Sequence, residues 1–154
     1  VNFPALPSLT HLSATIMATR GHGRILNISS LAAWMAIPNQ NVYAASKAYV
    51  LSFTQALADE MMANSSGVSV TALCPGYTAT KMMDNPAQGA TLRIPPTMMM
   101  SAREVAEAGI KGCLSGKSIV VPGGANKITA AVVRLFSKRL LTKLVGSFYR
   151  SKMQ

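Results

Sequence analysis

Three short apolar runs alternate with longer stretches of helical periodicity, and this alternation constrains the fold of the 154-residue chain most tightly. Residues 24–29, 68–73 and 118–121 have the composition and length of strands. Residues from about 8 to 20 read as a helix, with Leu9, Leu12, Ile16 and Met17 on one stripe. Pro4 and Pro7 limit its extent toward the N-terminus. A second helix carries Tyr43 and runs to about Ala63, where Asn64-Ser65-Ser66-Gly67 breaks it. Ser101, with Glu104 three residues on, signals a capped helix to about Leu114. Residues 31–41 read as a loop, and Pro75 to Met100 as a long irregular stretch with short helical turns. Strands and helices in this order imply a parallel sheet with right-handed crossovers.

The hydrophobic share of 49% and charged share of 13% exclude a disordered chain. A chain of this length can form one core, burying about 70% of its unfolded surface. Cys74 and Cys113 lack metal-ligand spacing and read as reduced thiols, which suits the cytosol. His11 and His22 have no second ligand at useful spacing, so no metal site is expected. These residues show no signal-peptide pattern and no long apolar run suited to spanning a bilayer, and an upstream targeting segment would lie outside them.

Ser30 ends the first strand. Tyr43 follows thirteen residues later, and Lys47 four after that. Residues four apart share a helix face, so the phenol and the ammonium are neighbours. A free phenol has a pKa near ~10, too high for a good base at neutral pH. A nearby ammonium favours the phenolate. Such a phenol can donate a proton to a ketone oxygen, or its phenolate can accept one from an alcohol. A serine hydroxyl can hold the same oxygen and stabilise its developing charge. None of these groups carries a hydride, so redox chemistry here requires a cofactor.

Three blocks occur in order: Gly23-Arg24-Ile25-Leu26-Asn27-Ile28-Ser29-Ser30, Tyr43-Ala44-Ala45-Ser46-Lys47-Ala48 and Pro75-Gly76-Tyr77-Thr78-Ala79-Thr80. On these blocks the chain resembles the short-chain dehydrogenase/reductase family, over about residues 2 to 125. The resemblance implies an α/β fold: an incomplete doubly wound Rossmann-type parallel sheet of about three contiguous strands with flanking helices, to which the residue pattern adds a basic helical C-terminus. It implies Tyr43 as general acid/base, Lys47 as its activator and ribose ligand, and Ser30 as holder of the substrate oxygen. It assigns Asn2 to a proton relay. It places Pro75, Gly76, Thr78 and Thr80 at the nicotinamide end of NAD or NADP, beside Tyr43 and Lys47. The family's glycine-rich turn between strand and helix has no counterpart here; Gly21-His22-Gly23 precedes a strand. The reading is therefore of an N-terminally truncated catalytic part. By the same resemblance, helices 8–20 and 43–63 would join subunits in a homo-oligomer.

Residues 77–100 read as a substrate lid carrying Tyr77, Met82, Met83, Leu92, Ile94 and Met98-Met99-Met100. Methionines adapt to irregular apolar ligands. The alternative is that they pack the loop onto the core. The lid reading implies a small apolar carbonyl or alcohol substrate. Trp34 reads as loop packing, near the substrate pocket by resemblance, and Asn27 as support for the strand end.

Fifteen Lys and Arg against five Asp and Glu give a formal charge of +10. The chain divides into a catalytic part, 1–125, and a basic amphipathic helical segment, 126–154. The segment holds Lys127, Arg134, Lys138, Arg139, Lys143, Arg150 and Lys152 and no acid. Among them lie Ile128, Val132, Val133, Leu135, Phe136, Leu140, Leu141, Leu144, Val145 and Phe148. Its apolar stripe packs on the domain or on a partner subunit, or it meets an anionic membrane surface. The first reading is preferred. Nucleic acid is set aside, since a basic face alone gives only nonspecific attraction. The localisation is cytoplasmic, with peripheral membrane contact as the second reading. A noncatalytic chain that binds a partner or membrane through this segment is the alternative function.

Overall fold

The computed structural model describes residues 5–81 and 94–152, and the side chains of all but the last five of these. Asn2, Met82, Met83 and Leu92 lie outside the described residues, as does the side chain of Phe148.

Helix α1 spans Ala5–Thr19. Pro7 is accommodated in its first turn, where a backbone N–H has no intrahelical partner. The helix closes as Arg20 N donates to Met17 O and Gly21 N to Ala18 O, each at 3.0 Å. Strand β1, Gly23–Ile28, follows, and a short 3-10 turn at Leu31–Trp34 breaks the stretch read as loop. Helix α2, Asn41–Ala63, is the longest element. Gly67, at φ 69°, turns the chain back into β2, Val68–Leu73; a side chain there would collide with the Gly21 carbonyl. Only glycine adopts that φ without cost.

Beyond β2 come the two-residue strands β3 (Thr78–Ala79) and β4 (Met100–Ser101), which pair with each other. They draw together the two ends of the stretch read as irregular. Helix α3, Ala102–Leu114, has the capping box read from sequence: Ser101 Oγ accepts from Glu104 N at 3.2 Å, and Ser101 N donates to Glu104 Oε2 at 2.9 Å. Strand β5 is Ile119–Val120, α4 is Gly124–Leu135 and α5 is Lys138–Lys152.

The main sheet is parallel, with order β1-β2-β5, as the alternation implied. Side chains alternate across a strand, so β2 serves two cores. Val68 and Val70 pack with Ala14 and Leu57 of α1 and α2. Leu73 packs with Val105 of α3 and Val120 of β5. The α/β fold with helices on both sheet faces is the Rossmann-type arrangement, in part.

The α1 stripe behaves differently from its simplest reading. Met17 turns inward, while Leu9, Leu12 and Ile16 are exposed. The buried positions are the small residues Thr10 and Ala14, because α1 lies close on the sheet. The basic segment splits similarly. Ala130, Val133 and Leu141 are buried and Val145 packs against a core cluster, but Ile128, Val132, Leu135, Phe136, Leu140 and Leu144 are exposed.

Candidate functional site

The site lies at the carboxyl ends of β1 and β2, where open parallel sheets bind ligands. Both strands end in hydroxyl- or sulfur-bearing residues: Ser29 and Ser30 after β1, Cys74 after β2. Ser29 N donates to Leu73 O at 2.7 Å and Cys74 N to Val120 O at 2.8 Å, so the strand ends are tied together. Ser30 caps the 3-10 turn; its Oγ accepts from Ala32 N at 3.2 Å and makes a long, 3.5 Å contact to Pro75 O. Leu31 N donates to the same Pro75 carbonyl at 2.9 Å.

Helix α2 is locked to this end of the sheet by a reciprocal pair of bonds. Ser29 Oγ donates to Lys47 O at 2.8 Å, and Lys47 Nζ donates to Ile28 O at 3.1 Å. The ammonium stands 5.8 Å from the centre of the Tyr43 ring. Tyr43 is half-buried and packs against the cluster of Ala32, Ile37 and Ala44, which Met35, Ile94 and Val145 also join. Thr78 Oγ1 donates to Gly76 O at 3.1 Å; exposed Thr80 Oγ1 makes a 3.5 Å contact to Thr78 O.

The structure thus gathers Ser30, Tyr43, Lys47, Pro75, Gly76 and Thr78 at one end of the sheet, with Thr80 at its outer edge. Asn2 lies outside the described residues. Asn27 acts as structural support: its Nδ2 donates to Thr54 Oγ1 at 3.1 Å, and its Oδ1 accepts from Thr10 Oγ1 at 3.3 Å.

Burial lowers the pKa of the Lys47 ammonium. An ionised Cys74 would pull it back up, but burial pushes the Cys74 thiol to about 11. Hydrogen bonds from Ser29 and Ser30, and the charges of Arg134 and Lys47, only partly offset that burial. Cys74 is therefore a neutral thiol at physiological pH and gives Lys47 no counter-charge. Among the described residues no carboxylate pairs with Lys47, so its charge is available to a phenolate or a ligand hydroxyl.

Several neighbours were not read from sequence. Asn126 of α4 fills the space over Gly76, so that a side chain on Gly76 would collide with it; Asn126 Nδ2 is held by Pro122 O at 2.8 Å. Arg134 stacks over the Trp34 ring at 5.2 Å. A cleft of about 370 Å³ opens between the 33–38 loop, the start of α2 and α5; Trp34, Ile37, Ala44, Ala48, Lys138 and Thr142 are among its lining residues. The lid residues divide. Ile94 packs in the cluster with Tyr43, whereas Met100 packs in the α3 core, and Met98 is exposed. Among the described residues no cluster of three His, Cys, Asp or Glu could hold a metal.

The short chain dehydrogenase family model matches residues 1–90, more than half the chain. This chain belongs to the short-chain dehydrogenase family. Nodulation protein G of Azospirillum brasilense is 34% identical over 135 residues, covering 81% of this chain and 54% of that protein. Ketoacyl reductase HetN of Nostoc sp. is 31% identical over 134 residues, covering 87% of this chain and 45% of that protein. The chain thus spans about half the length of these relatives. A short-chain dehydrogenase from Sphingobium yanoikuyae, solved in complex with NADPH, superposes with a TM-score of 0.67 at 21% identity. That match covers 88% of this chain and 55% of the other, and it shows the shared fold.

Proposed function

We propose that this chain is the catalytic part of an NAD(P)-dependent oxidoreductase acting on an apolar ketone, aldehyde or secondary alcohol. The observation that carries the reading is the Tyr43–Lys47 pair, seated by the Ser29–Lys47 and Lys47–Ile28 bonds beside Ser30. The donor set fits a nicotinamide ribose. Lys47 uses one of its three N–H groups on Ile28, and the other two suit ribose hydroxyls. The bound nicotinamide would supply or receive the hydride.

The chain's own residues do the rest. Ser30 Oγ holds the carbonyl oxygen of the substrate. Tyr43 gives its phenolic proton to that oxygen as the carbon gains a hydride, and takes the proton back in the oxidative direction. Lys47, desolvated and without a carboxylate partner among the described residues, stabilises the phenolate left behind. Pro75, Gly76, Thr78 and Thr80 would border the nicotinamide, and Asn2 would serve the proton relay. Support for an apolar substrate comes from the surroundings of Tyr43, which packs with Ala32, Met35, Ile37, Ala44 and Ile94; the cleft beside Trp34 is not lined by Ser30, Tyr43 or Lys47. The relative named ketoacyl reductase agrees with carbonyl chemistry, and the NADPH complex with NAD or NADP as cofactor.

The reading includes a homo-oligomer, for which the exposed Leu9, Leu12 and Ile16 offer an apolar surface. The buried free thiols Cys74 and Cys113 suit the cytoplasm. Ser30→Ala and Lys47→Met, measured for turnover and NADPH affinity in the full-length protein, test the assignment. Ser30→Ala is expected to lower kcat by about 10²-fold or more with cofactor affinity unchanged. Lys47→Met is expected to weaken cofactor binding as well as turnover. Wild-type NADPH affinity in Lys47→Met would contradict the assignment.

A further inference from the structure

The inner faces of α4 and α5 are accounted for: Ala130, Val133 and Leu141 are buried, and Val145 joins the cluster around Ile37. Their outer faces are not. Ile128, Val132 and Leu135 sit at offsets of zero, four and seven, which is one face of α4, and exposed Phe136 follows at its end. Leu135 is 85% exposed and Ile128 68% exposed. Leu140 and Leu144, one turn apart on α5, are exposed as well. Packing on this chain's own core therefore explains one face of each helix and leaves a second apolar face uncovered by the described residues.

Charge states what that second face fits. The exposed cations Lys127, Lys138, Arg139 and Lys143 lie among these apolar residues. No acid follows Glu107 in the chain. Among the described residues the ion pair is Arg103–Glu107 on α3, and none of these cations meets a carboxylate there. A helix with an exposed apolar stripe, flanking Lys and Arg and no acid suits the boundary between headgroups and acyl chains of an anionic membrane. Among the described residues no helix is long and apolar enough to cross a membrane, so the contact lies on the surface. A nucleic acid would use the cations and leave the apolar residues exposed. A second copy of this chain would bring the same positive charges together.

We infer that the α4–α5 segment docks the protein on anionic lipid surfaces. This goes beyond the proposed reaction and does not depend on it, because binding is read by sedimentation rather than turnover. The full-length protein is spun with vesicles of phosphatidylcholine alone, and with vesicles that also contain phosphatidylglycerol. Wild type is expected to bind the mixed vesicles at least about tenfold more tightly, and to lose that preference at high salt. Leu135→Ser with Leu144→Ser, both at exposed positions, should abolish binding while the melting temperature holds. Arg139→Gln and Lys143→Gln should each weaken it about fivefold. Three outcomes overturn the inference. One is no preference for the anionic vesicles. Another is unchanged binding in the double serine variant. The third is a wild-type dimer that dissociates in that variant without any vesicle binding, which would assign the face to a second copy.

Discussion

Cys74 is the residue whose state the structure decides most sharply. It is fully buried beside Ser29, and its folded pKa is about 11 against 9.0 for a free thiol. An acid raised on folding stabilises the folded state fully below its unfolded value and loses that contribution as pH climbs through the folded one. Here the loss falls between 9.0 and about 11 and amounts to about 2–3 kcal/mol. Lys47 has the opposite sign: its folded pKa is depressed, so its penalty is full at lower pH and fades as pH rises toward 10.5. Both proteins in a comparison of wild type with Cys74→Ala keep Lys47. Denaturant unfolding at pH 8.5 and 10.5 should show a smaller alkaline loss in Cys74→Ala; equal losses would refute the burial argument. At this scale the Tyr43–Lys47 pair was legible because its spacing is a helix turn. The Arg134–Trp34 stack and the Asn126 side chain over Gly76 were not, because each joins residues about fifty or a hundred positions apart that no local pattern connects.

At the scale of elements, a buried polar relay holds the site's two helices to its strand. Thr10 of α1 donates to Asn27 of β1, Asn27 donates to Thr54 of α2, and Thr54 Oγ1 donates to Val50 O at 2.6 Å. A buried amide that loses its acceptor keeps the full cost of its desolvation. Thr54→Val is therefore expected to destabilise the protein by about 1–3 kcal/mol, and Thr54→Ser, which keeps the hydroxyl, by less. Equal destabilisation by both would mean that packing, not the amide, sets the effect. The strands and the α3 capping box were readable because their signals are local. The direction of the α1 stripe was not. Periodicity shows that Leu9, Leu12 and Ile16 share a face, but small Thr10 and Ala14, which allow close approach to the sheet, are what turn that face outward.

On the scale of the whole molecule, the residues proposed for catalysis and the surplus charge lie on different parts of the chain. The sheet ends and α2 bring Ser30, Tyr43 and Lys47 together, while the acid-free α4 and α5 pack beside them with an apolar face left outward. Family membership and the α/β fold were both legible from three short blocks, because a parallel sheet admits few topologies once strands and helices alternate. The outward face of α4 and α5 needed the structure, since a stripe in sequence does not say what it packs against. The central claim is that Tyr43 moves the proton, and the most direct measurement is turnover with cofactor binding in Tyr43→Phe, in the full-length protein. Removing one hydroxyl should cut kcat by about 10²-fold or more while affinity for the nicotinamide cofactor, NAD(H) or NADP(H), stays at the wild-type value. Near wild-type turnover in that variant would contradict the account.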